Sequence, residues 1–218
     1  TVTIPAGLQP EETRWKVILD PIDGTRGLMY DKRAAWVLAA LAPQRGEANT
    51  LRDLQVAVMT EIPTTKQWRA DQVSAIRGLG RDGLRATATN ILDGTVSPVH
   101  LRPSTAQTLD HGFASFCKFF PEGRVPIAQL EDRLFEALGN TGGSSPLIFD
   151  DQYIATGGQF YELLSGRDRF VGDVRREVAR LTGQHLLSAH PYDVCTALII
   201  EEAGSQQEKP GGGTLDAP

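Results

Sequence analysis

Lys16-Val17-Ile18-Leu19-Asp20-Pro21-Ile22-Asp23-Gly24-Thr25 is the stretch on which the reading of this chain turns. An apolar run with β-branched residues at its centre ends in two carboxylates, a proline, a glycine and a hydroxyl. Trp15 to Leu19 reads as a buried strand, and Pro21, which has no amide hydrogen to give to a ladder, is expected to end it at Asp20. Asp20 and Asp23 stand three apart across a proline-bearing turn, so both side chains can converge on one point, with the Ile22 carbonyl as a further oxygen. Magnesium takes several oxygens in octahedral geometry and keeps waters and substrate phosphate as the rest. Gly24 lets the backbone approach an anion closely, and Thr25 supplies a hydroxyl and an amide hydrogen at a helix start. In metal-assisted phosphate hydrolysis a metal-bound water is acidified, and Thr25 is placed to orient it. The same residue types also build a plain tight turn after a strand, and both readings stay open on this stretch alone.

Working outward, Ala34 to Ala42 is a second apolar run, Leu54 to Ile62 a third, and Lys66 to Asp71 a polar partner strand after a hairpin at Ile62-Pro63-Thr64-Thr65. Between Ala75 and Pro103 the glycines at 78, 80, 83 and 94 point to turns and short strands, and Asp93-Gly94-Thr95 reads as an ordinary turn. Ser104 to Leu109 reads as the start of an element and His111 to Phe120 as a strand packed in a core. Ile127 to Leu138 has a helical period, with Ile127, Leu130, Leu134 and Leu138 on one side. After a break at Gly142-Gly143-Ser144-Ser145-Pro146, Asp150 to Leu164 reads as a second helix, interrupted or started near Thr156-Gly157-Gly158, and Arg169 to Gly172 as a short strand. Pro191 to Ala203 reads as a strong helix, with Pro191 at its start and Gly204 as its stop. Asp193 then falls in its first turn, in the favourable field of the helix dipole.

Length and composition bound the rest. With 218 residues the chain can bury a sizeable core, and 40% hydrophobic and 22% charged residues are ordinary for a globular enzyme. The net charge of −5 comes without a run of one sign, so no basic footprint for nucleic acid is seen. No apolar run approaches the ~20 residues that span a bilayer. Cys117 and Cys195 lie far apart without a metal-type spacing and read as buried, reduced thiols of a cytoplasmic protein. His100, His111, His185 and His190 show no metal-like spacing and read as structural. The chain opens on Thr1 with strand-like material close behind and stops in a turn-like stretch, so it reads as a fragment incomplete at both ends.

The string DPIDGT after an apolar strand resembles the signature of the inositol monophosphatase family, within the wider group that includes fructose bisphosphatases. His190-Pro191-Tyr192-Asp193-Val194-Cys195-Thr196-Ala197 through Glu201-Glu202-Ala203-Gly204 is similar to the family's later motif, an aromatic-aspartate-valine helix start that closes on glutamate, alanine and glycine. The two motifs stand in the family's order, and the likeness covers nearly the whole chain. The resemblance implies an α/β protein with a layered α/β/α/β/α sandwich lacking its N-terminal helices. It implies one domain over residues 1–218, in approximate halves 1–120 and 121–218. Its activity would be that of a Mg2+-dependent phosphomonoesterase, acting on inositol monophosphate or another small phosphorylated metabolite, with a homodimer in the cytoplasm as the working form. By the same resemblance Asp20, Asp23, Asp193 and the Ile22 carbonyl are metal ligands, and Asp23 and Thr25 the catalytic pair. Gly24 and Thr25 hold phosphate through backbone amides, Gly157 and Gly158 with neighbouring Thr156 contact substrate, and Asp173 grips a substrate hydroxyl.

The departures matter as much. The family carries a glutamate ligand well upstream of the position of Asp20, and Glu11 and Glu12 stand too near the motif to replace it, so that ligand is expected before Thr1. Tyr192 stands where the family has tryptophan, and Arg26 where it has threonine or a small residue. Arg26 can reach a second phosphate or a substrate carboxylate, or be a solvated rim residue. A phosphatase for another sugar or nucleotide phosphate, and a silent relative that binds a phosphorylated ligand without turnover, are the rival readings.

Overall fold

The computed structural model describes residues 2–139 and 147–210. The break at 142–146 and the turn-like end at 211–218 lie outside the described residues. The chain forms two compact units, one made of residues up to 100 with 155–157 and those from 190 onward, the other of 101–154 and 158–189.

The first unit is built on an antiparallel six-stranded meander in the order β1 (Trp15–Asp23), β2 (Ala35–Pro43), β3 (Val56–Ile62), β4 (Arg69–Ile76), β5 (Arg85–Asn90) and β6 (Val96–Pro98). A short helix, α1 (Thr25–Met29), leads from β1 toward β2. The alternation of β2 is the organising pattern: Trp36, Leu38, Ala40 and Ala42 are buried, while Val37, Ala39, Leu41 and Pro43 between them are not. Ala57, Met59, Val73 and Ala75 continue the buried face on β3 and β4. Helix α5 (Ala197–Glu202) lies on β3 and β4, and its Leu198, Ile199 and Ile200 are buried. The alanines supply the room for that close packing. On the opposite face Val17 and Leu19 of β1 pair with Leu41 and Ala39, and Trp15, Val17 and Leu19 remain more than half exposed.

Strand β1 does not stop at Asp20. It continues through Pro21 to Asp23, because β1 is an edge strand with one neighbour and because the ladder bulges there. Asp20 pairs with Leu38 and Asp23 with Trp36, so three steps along β1 oppose two along β2. Strand β4 also begins later than the sequence pattern indicated. Residues 64–67 form a turn closed by the Gln67 amide on the Thr64 carbonyl at 3.1 Å and by the Thr64 amide on Gln67 Oε1 at 2.8 Å. The Asp93-Gly94-Thr95 turn is present between β5 and β6, with Gly94 at φ 76° and the Thr95 amide donating to Asp93 Oδ1.

The expected helix over 191–203 is shorter than its pattern. Residues 191–196 are turns and α5 begins at Ala197, so Asp193 sits in a turn ahead of the helix instead of in its first turn. Gly204 stops α5 at φ 82°, where a side chain would be strained. Buried Glu202 ties α5 to the β4–β5 connection by accepting the amides of Gly78 at 2.8 Å and Gly80 at 2.5 Å. Glu202→Ala is expected to lose about 2–3 kcal/mol, since two charge-assisted bonds go together. Urea titration beside Glu202→Gln, which keeps an acceptor and should lose less, checks it.

The second unit holds a three-stranded parallel sheet in the order β8 (Ile148–Phe149), β7 (Gly112–Phe116), β9 (Asp168–Gly172), with α2 (Arg124–Gly139) and α4 (Arg175–Thr182). Phe116, Ile127, Val178 and Leu186 form its core, with Leu134 and Phe170 against them. The expected face of α2 is corrected: Ile127 and Leu134 point inward, but Leu130 is 42% and Leu138 57% exposed. Glu131 takes the inward position, accepting the Phe116 amide at 3.0 Å and pairing with Lys118 at 2.6 Å. Residues 104–109 form no regular element, and α4 has no counterpart in the sequence reading. Helix α3 (Thr156–Leu164) is shorter than the expected 150–164 helix: it starts at the Thr156-Gly157-Gly158 position, and residues 150–155 hold no regular element. Cys117 and Cys195 are free and buried. Among the described residues no helix is long and apolar enough to cross a membrane.

Candidate metal centre

Two residues three apart in a regular strand face opposite ways. The one-residue bulge at Pro21-Ile22 cancels that, and Asp20 and Asp23 expose only 9% and 8%. The turn at 190–193 brings Asp193 to them, and one carboxylate oxygen from each of the three lies within 4.8 Å of the others. Among the described residues this is the one such group of acidic, histidine or cysteine side chains.

Backbone amides hold each carboxylate. Asp20 Oδ1 accepts the Ile22 amide at 3.1 Å, Asp23 Oδ2 the Gly157 amide at 2.6 Å, and Asp193 Oδ2 the His190 amide at 2.6 Å. These bonds do not cancel the cost of gathering three like charges. Burial pushes the Asp23 carboxyl up to about 7, against the opposing Gly157 amide and with help from the charges of Asp20 and Asp193. Asp20 is raised as well, first by burial and then by Asp193, against the Ile22 amide. Cys195 is buried beside the same charges, its thiol pushed up to about 12, which leaves it a packing residue.

The other expected residues divide between the units. Gly24 takes φ 90° and ψ 25° at the start of α1, a left-handed conformation in which glycine is at ease. The Thr25 hydroxyl donates to the Ile22 carbonyl at 2.8 Å. Gly157 is tight against β2: a Cβ there would meet Trp36 Cβ at 2.7 Å and Leu38 Cδ2 at 2.8 Å. Its amide meets Asp23, a contact the sequence did not indicate. Gly158 belongs to the second unit, where a Cβ would collide with the Tyr153 ring. Asp173 is in that unit too, and its two oxygens accept from the Arg175 guanidinium at 2.8 and 2.6 Å. Arg26 is exposed. Glu12 accepts the Gln9 amide at 2.7 Å in a local turn, apart from the cluster.

His190 and Tyr192 were not picked out as site residues, yet they flank Asp193 with their rings stacked at 5.1 Å and 5°. The signal available was adjacency in His190-Pro191-Tyr192-Asp193, where a proline-bearing turn returns position 190 to position 193.

The donor set is all carboxylate, and the raised carboxyls of Asp20 and Asp23 mark a place where a cation would relieve the crowding. That suits a hard divalent ion of the magnesium or calcium kind.

No family model matches the sequence, and no curated protein matches it in sequence. Solved structures do match in fold. Mycobacterium tuberculosis SuhB gives a TM-score of 0.56 at 20% identity, over 95% of this chain and 68% of that one. The holo form of Leishmania major fructose-1,6-bisphosphatase gives 0.55 at 12% identity, over 93% and 60%. An inositol monophosphatase from Anabaena (Nostoc) gives 0.53 at 15% identity, over 89% and 61%. The chain thus spans between 60% and 68% of the length of these proteins. Its mixed α/β architecture is the fold shared by the inositol monophosphatases and fructose-1,6-bisphosphatase.

Proposed function

We propose that this chain carries the metal centre of a Mg2+-dependent phosphomonoesterase acting on a small phosphorylated metabolite, with inositol monophosphate the first substrate to test. The observation that carries the reading is the convergence of Asp20, Asp23 and Asp193 on a bulged strand end. Structures of this fold support the ligand chemistry: an IMPase/NADP phosphatase complexed with Mg2+ and phosphate, and one bound to D-inositol-1-phosphate.

Asp20, Asp23 and Asp193 would hold the cation, with the Ile22 carbonyl, whose second lone pair stays available beside the Thr25 bond. When bound, Mg2+ supplies a lowered pKa for water and charge neutralisation on phosphoryl oxygens. Thr25 spends its hydroxyl proton on Ile22, so its oxygen is left to accept from a water and orient it. The amides of Gly24 and Thr25 would contact phosphate, Gly157 and Gly158 the substrate, and Asp173 a substrate hydroxyl once its Arg175 pair opens. Both units would belong to one phosphatase domain. A homodimer and a cytoplasmic location complete the reading; their support is the family resemblance alone.

Phosphate release from inositol monophosphate, sugar bisphosphates and nucleoside monophosphates, with Mg2+ and with chelator, tests it. Release that chelator abolishes is expected. Release from another phosphate but not from inositol monophosphate would replace the substrate name, and Mg2+ binding without release from any would assign a silent phospho-ligand binder.

Metal affinity should depend on pH in a stated direction. Because the Asp23 proton must leave before a cation binds and that carboxyl titrates at about 7, Mg2+ affinity should fall about tenfold from pH 8 to pH 6. Calorimetric titration at the two pH values checks this; equal affinity would contradict the raised carboxyl.

A further inference from the structure

We infer that the stacked rings of His190 and Tyr192 are a platform for a planar ring, and that the substrate is a nucleoside monophosphate whose base extends the stack. The inference rests on the phosphatase reading for the place of the phosphate and adds what holds the rest of the molecule.

The two rings are parallel within 5° at 5.1 Å. They are not a buried packing pair: the His190 side chain is 51% exposed and Tyr192 is 41% exposed. A parallel pair open to solvent keeps flat apolar faces in water, and a third ring laid on the stack would cover one of them. Stacking a base on an aromatic side chain is worth roughly ten- to a hundredfold in affinity, and every base has a face to offer.

The platform is fixed to the carboxylates. The His190 amide donates to Asp193 Oδ2 at 2.6 Å while the Asp193 amide donates to the His190 carbonyl at 3.0 Å, so one closed turn sets both rings and the metal-site oxygen. Tyr192 and Asp193 are adjacent, about 3.8 Å apart at Cα. A ring on one and a phosphate on the other therefore belong to one small molecule with a short spacer, as ribose is between base and phosphate. A ring-free ester such as glycerol phosphate would use the carboxylates alone.

The test reads stacking apart from turnover. 2-Aminopurine riboside monophosphate loses fluorescence when its base stacks, and it is titrated with the protein in the presence of Mg2+. Quenching is expected with the native chain, lost in His190→Ala and Tyr192→Ala, and kept in His190→Phe and Tyr192→Trp, whose flat rings preserve the platform. Where phosphate is released, the ratio of kcat/KM for adenosine monophosphate to that for glycerol phosphate should fall about tenfold in His190→Ala. No quenching by the native chain, equal quenching by the alanine variants, or an unmoved ratio overturns the inference. Quenching in the expected pattern without phosphate release from any ester would keep the platform and refute the phosphatase reading; release without quenching would do the reverse.

Discussion

Asp23→Asn should raise the melting temperature of the metal-free chain at pH 8 by about 5 °C while cutting Mg2+-dependent turnover by at least about a thousandfold. Both effects have one source. Asp23 is buried beside Asp20 and Asp193, and its carboxyl is raised to about 7. Between the unfolded value near 4 and about 7, the folded chain holds a proton that the unfolded chain releases. Stability from this group is therefore fully present at low pH and declines as pH rises toward 7, by the linkage of proton uptake to folding. Above 7 the charge stays buried at a cost of about 4 kcal/mol by the same linkage. Asn, itself polar in that buried place, returns on the order of half of it, about 2 kcal/mol, which for a chain of this size is roughly 4–8 °C in Tm. The Asn side-chain oxygen can still accept the Gly157 amide, so the gain is not offset by an orphaned donor. Turnover collapses because a charged cation ligand is gone, and losing about 4 kcal/mol of transition-state stabilisation is a thousandfold. Thermal melts at pH 5 and pH 8 check the sign: the gain should shrink at pH 5, where Asp23 is already protonated. A lower Tm at pH 8, or near-native magnesium activation, would contradict the account.

Gly157→Ala should damage both fold and site. A Cβ there would lie 2.7 Å from Trp36 Cβ and 2.8 Å from Leu38 Cδ2, and both neighbours are fully buried, so neither can step aside into solvent. Overpacking of this kind costs about 1–3 kcal/mol. The backbone shift that relieves it moves the amide now 2.6 Å from Asp23 Oδ2, so Mg2+ affinity should fall by about tenfold, the order expected when a partner that orients a ligand is displaced. Gly27→Ala is the control, since its added Cβ meets Arg33 at no less than 3.4 Å, and it should change neither quantity measurably. Equal behaviour of the two variants, by melt and by calorimetry, would show that Gly157 holds nothing in place.

The ladder of the first unit was legible in the chain because its strands are short apolar runs bounded by turn residues, a local signal, but which positions of β2 face inward was not, since every residue from Ala35 to Pro43 is apolar and the alternate burial from Trp36 to Ala42 is set by the fold. The carboxylates at 20 and 23 were legible as a pair, but the device that aligns them was not. A bulge depends on the partner strand, and Pro21 in isolation argues for termination. Helix α5 was found and its start misplaced, since Pro191 and Asp193 suit a helix start and a turn equally, and the burial of residues 195–200 that decides between them is tertiary. Helix α4 went unread because its apolar positions are few and its surface is charged. The Gly157 amide on Asp23 spans 134 residues, a separation at which no local pattern speaks. Leu130 and Leu138 mislead for a related reason: periodicity names a stripe, but β7 with its Phe116 amide selects Glu131 as the side chain that turns inward.

Whether Asp20, Asp23 and Asp193 hold one cation between them is tested most directly by a calorimetric Mg2+ titration of the native chain against Asp193→Asn. Asp193 lies far along the chain from the other two, so its substitution breaks the site without touching the bulged strand. Mg2+ binding by the native chain, lost in an Asp193→Asn variant that keeps the native circular dichroism, is the predicted result. Mg2+ affinity undiminished in that variant would contradict the site.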